Sequence, residues 1–211
     1  MSNTIFGAEI RRVADREHLG KLALVATAIR TYDTTIDDLW NVITMPDRLR
    51  RWFLPVEGEL RLGGRYQLIG NAGGTITRCD PPQALDLTWE MMGATSWVTV
   101  RLIPVGNRAR FELEHIAHRD AIGKEHLEKF GPGAVGIGWD LTLHGLAKHF
   151  DQPDWSVDPK WAAGWMASSE GKAFIHASGD AWGEAHAASG EDAAEARAKA
   201  ERTIAAYTGA G

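Results

Sequence analysis

Between residues 56 and 117, apolar and polar residues alternate in short runs that are separated by glycine and proline pairs. Alternation with a period of two is typical of strands with one buried face, and closely spaced turn signals favour an antiparallel meander. The pattern predicts six strands, at residues 57–62, 64–70, 74–79, 84–91, 96–105 and 108–117. The inner face of this sheet would carry Leu85, Leu87, Trp89, Val98, Val100, Leu102, Phe111, Leu113 and His115.

The chain before this meander predicts a hairpin and two short helices. Residues 20–32 are apolar and β-branched and begin at a glycine, so we predict a strand there, with residues 8–17 as its partner. Thr34 and Asp37 have the spacing of a helix-capping box, with Asp in place of Glu or Gln. Pro46 favours the first turn of a second short helix.

A longer helix is predicted after the meander. Trp139, Leu143, Leu146 and Phe150 recur at spacings of 4, 3 and 4 residues, which indicates one apolar helical stripe. The stretch at residues 121–138 is rich in glycine, so we expect an irregular hinge there that introduces the helix.

The last part of the chain has a helical composition. Asp158 followed by Pro159 predicts the start of a helix, and two more helices are predicted near residues 169–188 and 192–207. Its many alanine and glycine residues permit close helix packing, so we expect it to cover the main domain, with a mobile appendage as the alternative. The expected division is a main domain at residues 1–153 and a helical extension at residues 154–211.

A meander with one apolar face must bury that face, and the helix at residues 139–151 is the element that can cover it. The predicted fold class is therefore α+β, a curved antiparallel sheet around a long helix with extra C-terminal helices. Because a strongly twisted sheet curls around such a helix, a cavity can remain between the two.

Composition and charge narrow the classes of function. The formal net charge is −5, so nothing in the sequence favours nucleic-acid binding. Cys79 is the one cysteine, which excludes an intramolecular disulfide and fits a reducing compartment. The first residues lack the apolar core of a signal peptide, and no run approaches the about 18 apolar residues of a membrane span. We expect a cytoplasmic protein without a membrane span.

Several motifs follow one another in order over residues 22–150. They read DLWNVIT, MPDRLRRWF, GGRYQL, CDPPQALDLTW, SWVTVRLIPVGNRARFELEH and GWDLTLHGLAKH. Together they resemble the activator of Hsp90 ATPase homologue 1-like branch of the SRPBCC (START/Bet v 1-like) superfamily, and the tail resembles the extension of bacterial members. The resemblance implies a helix-grip fold with an internal pocket, often for an apolar or amphipathic small molecule. It implies no reaction, because the superfamily includes carriers, cyclases, hydrolases and co-chaperones.

Gly131, Gly133 and Gly136 match the G-x-G-x-x-G pattern of dinucleotide-binding sites. Such a site places the glycines between a buried strand and a helix within a βαβ unit. The preceding residues, KEHLEKF, are not typical of a buried strand, and the predicted sheet is antiparallel. We therefore interpret the glycines as a hinge and expect no nucleotide cofactor.

Histidines are the next candidates. His115 would point from the inner face of the last strand toward the long helix, either to orient a ligand or transfer a proton, or as a hydrogen-bonded core residue, which we favour. His118 is three residues further and would face the other side of the sheet. His144 and His149 are five residues apart and share no helix face well. We therefore expect no metal site.

Aromatic residues are the stronger candidates for a binding site. Nine tryptophans is a high number for a chain of 211 residues, and tryptophan concentrates in cores, pockets and interfaces. Most of them should be core residues. The side chains that we expect to line the cavity are Trp52, Phe53, Tyr66, Trp89, His115, Trp139 and Leu143.

Three functions stay open at this point. The favoured one is binding of a hydrophobic or amphipathic small molecule in the cavity, with no catalytic residue. The second is an enzyme of the cyclase, dehydratase or hydrolase kind, although no acid–base pair or nucleophile motif stands out. The third is a protein-interaction or co-chaperone-like module, which predicts an exposed apolar patch on the tail around Trp161, Trp165 and Trp182. A homodimer is compatible with all three.

Overall fold

The computed structural model describes residues 7–121, 124–152 and 154–209, with only the backbone of Pro159 and Trp161. Its strands are β1 (Ile10–His18), β2 (Lys21–Tyr32), β3 (Val56–Gly58), β4 (Arg65–Leu68), β5 (Gly73–Asp80), β6 (Ala84–Met91), β7 (Ala94–Val105) and β8 (Arg108–His118). Within these described residues, all eight strands form one antiparallel sheet in the order β1-β2-β8-β7-β6-β5-β4-β3. The predicted meander is confirmed from β4 to β8, and the hairpin β1–β2 extends it beyond β8.

The described part of the chain has helices on the concave face of the sheet and, behind those, helices that pack mainly on other helices. The helices are α1 (Ile36–Thr44), α2 (Pro46–Trp52), α3 (Lys124–Phe130), α4 (Gly133–Asp151), α5 (Pro159–Ala167), α6 (Ser169–Ala188) and α7 (Ala193–Thr208). The long helix α4 is fixed to β2 by the Tyr32 hydroxyl, which donates a hydrogen bond of 3.1 Å to the Leu143 carbonyl. The architecture is the predicted α+β helix-grip fold. In the described part of the chain, no helix is long and apolar enough to cross a bilayer.

The first strand of the predicted meander is wrong over most of its length. β3 ends at Gly58, and residues 59–64 form turns instead of continuing the strand. Gly58 has a φ of +112°, whereas strand residues have negative φ values, so the extended chain ends there. Glycine tolerates this φ because it has no side chain. Leu60 and Leu62, which suggested a strand, are 40% and 59% exposed.

The expected hinge at residues 121–138 is also wrong for the described residues of this stretch. Helix α3 occupies Lys124–Phe130, and α4 begins at Gly133, six residues before the predicted start at Trp139. Gly131 has a φ of +64° and its N–H donates to the Leu127 carbonyl, so it ends α3 as a left-handed C-terminal residue. Of the glycine pattern, Gly131 therefore lies between two helices and Gly133 and Gly136 lie within α4, and the element directly before the pattern is a helix rather than a strand.

The capping signal of α1 is displaced by one residue from its prediction. Thr35 is the N-cap, and its side chain accepts a hydrogen bond of 3.2 Å from the Asp38 N–H. Thr34 instead donates to the Asp38 carboxylate at 2.7 Å. Sequence spacing could not separate two adjacent threonines that each have an aspartate three residues further along.

The three tail helices agree with the prediction and pack on α4. Helix α6 runs antiparallel to α4, and one stripe on each helix faces the other. The facing pairs are Gly136 with Trp182, Asp140 with Ser178, and His144 with Phe174. The Trp182 and Phe174 side chains are completely buried, so these helices add a third layer to the core.

Glycine at position 136 allows α4 and α6 to approach closely. A Cβ atom added to Gly136 would lie 2.3 Å from Cε2 of the Trp182 ring, a distance at which one of the helices would have to move. This contact gives part of the G-x-G-x-x-G pattern a structural explanation in helix packing.

Asp140, in the middle of α4, accepts hydrogen bonds from four residues elsewhere in the chain. One carboxylate oxygen accepts from the Ala8 backbone N–H at 2.8 Å. The other accepts from Arg11 Nε at 2.8 Å, from the Trp182 indole N–H at 3.1 Å and from the Ser178 hydroxyl at 2.5 Å. The side chain is completely buried, and burial raises its pKa while the Arg11 charge acts against that rise. Asp140 thus joins β1, α4 and α6 through a paired buried charge.

Candidate functional site

A cavity of about 320 Å³ lies between the concave face of the sheet and helices α1, α2 and α4. Its sheet side is formed mainly by side chains of β4 to β8, among them Tyr66, Leu85, Leu87, Trp89, Val98 and Phe111. Its helix side is formed mainly by Trp40, Trp52, Phe53, Trp139, Thr142 and Leu143. The cavity therefore has aromatic rings on both sides.

Two aromatic side chains of the wall direct their hydrogen-bond donors away from the cavity. The Trp52 indole donates to the Val42 carbonyl at 3.2 Å, and the Tyr66 hydroxyl donates to the Thr88 carbonyl at 2.8 Å. Because these donors are paired with the protein, the rings present mainly carbon to the cavity.

The two threonines of the wall are paired within their own helices. Thr44 donates to the Trp40 carbonyl at 2.7 Å, and Thr142 donates to the Gly138 carbonyl at 2.9 Å. Because each hydroxyl donates to a carbonyl of the preceding helical turn, neither hydroxyl proton is free to bond a molecule in the cavity.

Charged side chains are absent from the described residues that line the cavity: none is Asp, Glu, Lys, Arg or His. The titratable side chains in that wall are Tyr66, whose pKa is raised by burial, and Cys79, a half-buried free cysteine. A reaction by general acid–base catalysis needs a positioned donor and acceptor near the substrate. These side chains do not supply such a pair.

The cavity is open at one end of the sheet. Met45, between α1 and α2, is 50% exposed and lines the cavity, as do the exposed Leu60 and Pro81. Pro81 lies in the turn between β5 and β6. This mouth connects the aromatic interior with solvent.

Six of the seven residues proposed from the sequence lie in the cavity wall: Trp52, Phe53, Tyr66, Trp89, Trp139 and Leu143. The seventh, His115, is buried on the inner face of β8 but is not a wall residue. The reason is the size of the Trp139 side chain. It extends from α4, contacts the His115 ring and lies between that ring and the cavity.

His115 acts on the wall through Trp139. Its Nδ1 accepts a hydrogen bond of 3.1 Å from the Trp139 indole N–H, and its Nε2 lies 3.0 Å from the Ser96 hydroxyl. Burial lowers the pKa of His115 to about 4, so the ring is neutral at physiological pH. Since Nδ1 accepts, the ring proton is on Nε2 and is donated to Ser96. The histidine therefore fixes the orientation of the Trp139 ring.

Cys79 is a wall residue that the sequence interpretation missed. Strict alternation would place Ile76 and Cys79 on opposite faces of β5, because they are three residues apart. The pairing of β5 with β6 shifts between Ile76 and Arg78, as in a β-bulge, and both side chains then reach the cavity. No signal in the sequence locates this irregularity.

Of the three tryptophans expected to form an exposed patch on the tail, the two whose side chains the structure describes are not exposed. Trp182 is completely buried against α4, and Trp165 is half-buried and stacked on His144, with ring centroids 5.2 Å apart. The side chain of Trp161 lies outside the described residues. Trp165 and Trp182 pack inward because α4 offers them His144 and the small Gly136 as contacts.

Comparison with known proteins places these features in a family context. The family model described as activator of Hsp90 ATPase homolog 1-like protein matches residues 33–151, more than half of the chain. The matched region includes the elements that surround the cavity, from α1 to α4. Among curated proteins no significant match was found.

Solved structures extend the similarity to the tail. The crystal structure of CalU16 from Micromonospora echinospora has 32% identity and a TM-score of 0.59, and the match covers 68% of this chain and 87% of that chain. The solution structure of CalU16 has 27% identity and a TM-score of 0.63, with coverage of 99% and 97%. Protein MLL2253 from Mesorhizobium loti shares the fold at 18% identity and a TM-score of 0.53, with coverage of 62% and 98%.

Proposed function

The chain belongs to the activator of Hsp90 ATPase homolog 1-like family of the SRPBCC superfamily, and from this premise we propose that it binds an apolar small molecule in the cavity between its sheet and α4. The observation that carries the proposal is a cavity of about 320 Å³ whose described wall has no charged side chain. Cavities of this order that combine apolar walls with a few polar groups are the usual form of small-molecule sites.

Four polar side chains of the wall offer water no free donor. A buried water molecule makes about three hydrogen bonds to polar groups that have no other partner. In this wall, Tyr66, Trp52, Thr44 and Thr142 all donate to protein acceptors. An apolar molecule gains from burial here without competing for those donors.

Binding without catalysis fits the wall better than an enzymatic reaction. The His115 imidazole, which could have served as an acid or base, is separated from the cavity by Trp139 and paired on both nitrogens. Tyr66 donates its proton to a backbone carbonyl, and burial raises its pKa. We therefore assign the wall residues to binding and His115 to positioning Trp139.

The first test is native mass spectrometry of freshly purified protein, followed by denaturation and analysis of the released small molecules. We expect an apolar compound in a ratio of about one to one. In parallel, the rate at which N-ethylmaleimide modifies Cys79 should fall when a panel of lipids and aromatic metabolites contains a ligand, because Cys79 is the one cysteine and lies in the wall.

A pair of substitutions makes this test specific for the cavity. Leu87→Trp enlarges a wall residue and should abolish both the retained compound and the protection of Cys79. Ile103→Trp makes a similar change at an exposed position of β7 outside the cavity and should leave both unchanged. A protein that retains no compound and gains no protection from any member of the panel would contradict the proposal.

A further inference from the structure

Aromatic rings face the cavity from separate elements of the fold. On α2 and its end, the Trp52 and Phe53 rings stack with an interplanar angle of 23° and centroids 5.7 Å apart. From β6 and α4, the Trp89 and Trp139 rings meet at 5.2 Å and 59°. All four rings line the same cavity, so a molecule inside it has ring surface on both the helix side and the sheet side.

The Trp139 ring is held in place before any ligand enters. Its indole N–H is bonded to His115, and His115 is in turn bonded to Ser96 of β7. This chain of two hydrogen bonds runs through the core from α4 to the sheet. A ring fixed in this way offers a preformed flat surface, and preorganisation lowers the entropic cost of binding.

The same wall disfavours a charged group. Moving an ion from water into an apolar site is costly unless a counter-charge or several hydrogen bonds await it. The described wall residues include no cationic or anionic side chain, and the Thr44 and Thr142 hydroxyls donate to their own helices. A fatty acid, a phosphate ester or an ammonium compound would therefore have no partner for its charge in the interior.

From these observations we propose that the ligand of this cavity is an uncharged, flat aromatic compound of two or more rings, rather than an aliphatic chain or an ion. The inference rests on the proposed function, since it names the chemical class of the molecule bound in that same cavity. Stacked and edge-to-face contacts with indole rings favour such a compound beyond the area it buries.

Three probes of related size separate the parts of this inference. N-phenyl-1-naphthylamine is neutral and aromatic, 8-anilinonaphthalene-1-sulfonate has the same ring system with a fixed negative charge, and 1-dodecanol is neutral and aliphatic. Isothermal titration calorimetry with the full-length protein should give the neutral aromatic probe a Kd about tenfold or more below those of the other two.

A variant of one wall residue tests the contribution of the rings. Trp89→Leu keeps an apolar side chain but removes one aromatic surface, so N-phenyl-1-naphthylamine should bind about tenfold more weakly while 1-dodecanol binds as well as before or better. Retained dodecanol binding also shows that the variant is folded. Equal loss for both probes would contradict an aromatic preference.

The outcomes distinguish this inference from the proposed function. If 1-dodecanol binds as tightly as the neutral aromatic probe, the aromatic preference is wrong and the cavity still binds apolar molecules. If the sulfonate binds as tightly as its neutral analogue, the exclusion of charge is wrong. If none of the three probes binds, both the inference and the proposed function are overturned.

Discussion

Helix α4 is packed in opposite ways on its two faces. Trp139 and Leu143 face a cavity of about 320 Å³, while Gly136 and Asp140 face helix α6. On the α6 side, even a single added Cβ at Gly136 would lie 2.3 Å from the Trp182 ring. One face leaves room for a whole molecule and the other excludes a methyl group.

This difference shows how the fold combines an open interior with a stable helix. Close packing is the norm in protein cores, and a helix that faces a void loses those contacts on one side. Asp140, Ser178 and Trp182 supply contacts and hydrogen bonds on the opposite side. The C-terminal helices therefore hold α4 on one side, while the cavity remains open on the side that faces the sheet.

Among substitutions on the two faces of α4, removing the carboxylate of Asp140 should change the free energy of unfolding most. Asp140→Ala removes the carboxylate that accepts from Arg11, Ser178 and Trp182, so the free energy of unfolding should fall by about 3–5 kcal/mol. Urea denaturation followed by tryptophan fluorescence measures the change. Asp180→Ala, at an exposed position of α6, should change it by less than about 0.5 kcal/mol. If the free energy of unfolding falls by less than about 1 kcal/mol in Asp140→Ala, the hydrogen bonds to Asp140 do not hold α4.

A methyl group added on the tightly packed face should come next in size. Gly136→Ala places its Cβ against Trp182 and should lower the free energy of unfolding by about 1–3 kcal/mol, although alanine is the better helix former. Gly164→Ala in α5 is the matched control, since no atom lies within 4 Å of the added Cβ. The control should be neutral or stabilising, and the same result at Gly136 would contradict the close packing.

Acid should weaken the protein through His115, which supports the cavity wall. Burial lowers the folded-state pKa of His115 to about 4, against about 6.5 in the unfolded chain. The unfolded state therefore binds a proton first, and stability falls as the pH drops from about 6.5 toward 4. His115→Gln should reduce the loss of unfolding free energy between pH 7 and pH 5 by about 2 kcal/mol.

Urea denaturation at the two pH values checks this prediction. His176→Gln, at an exposed position of α6, serves as the control and should retain the full pH dependence. An unchanged pH dependence in His115→Gln would mean that His115 takes up its proton in the folded state as readily as in the unfolded one.

An enlarged side chain on the cavity face should have the smallest effect. Thr142→Leu adds carbon atoms to the same helix as Gly136→Ala but directs them into open space, so the free energy of unfolding should change by less than about 1 kcal/mol, or rise. Binding of an apolar ligand should weaken in the same variant, because volume is lost. A destabilisation as large as that of Gly136→Ala would remove the contrast between the two faces.

Local patterns predicted the elements of this fold well where one rule dominated. The alternation in β6, β7 and β8 placed Leu85, Val98 and Phe111 on the inner face, and the helical composition of the tail predicted α6 and α7. The second stripe of α4 was missed, although Gly136 and Asp140 are four residues apart, because neither residue is hydrophobic. These two residues contact α6, which lies far along the chain, so the local pattern around them does not reveal their role.

The sequence by itself determined the class of fold and the aromatic character of the cavity, because periodicity and residue type are local properties that assign each side chain to a face. Only the tertiary structure decided that Trp139 stands between His115 and the cavity, that a bulge brings Cys79 into the wall, and that Gly136 serves the contact with Trp182. Each of these depends on the distance between elements remote in sequence. Packing of whole side chains sets that distance, and periodicity contains no information about it.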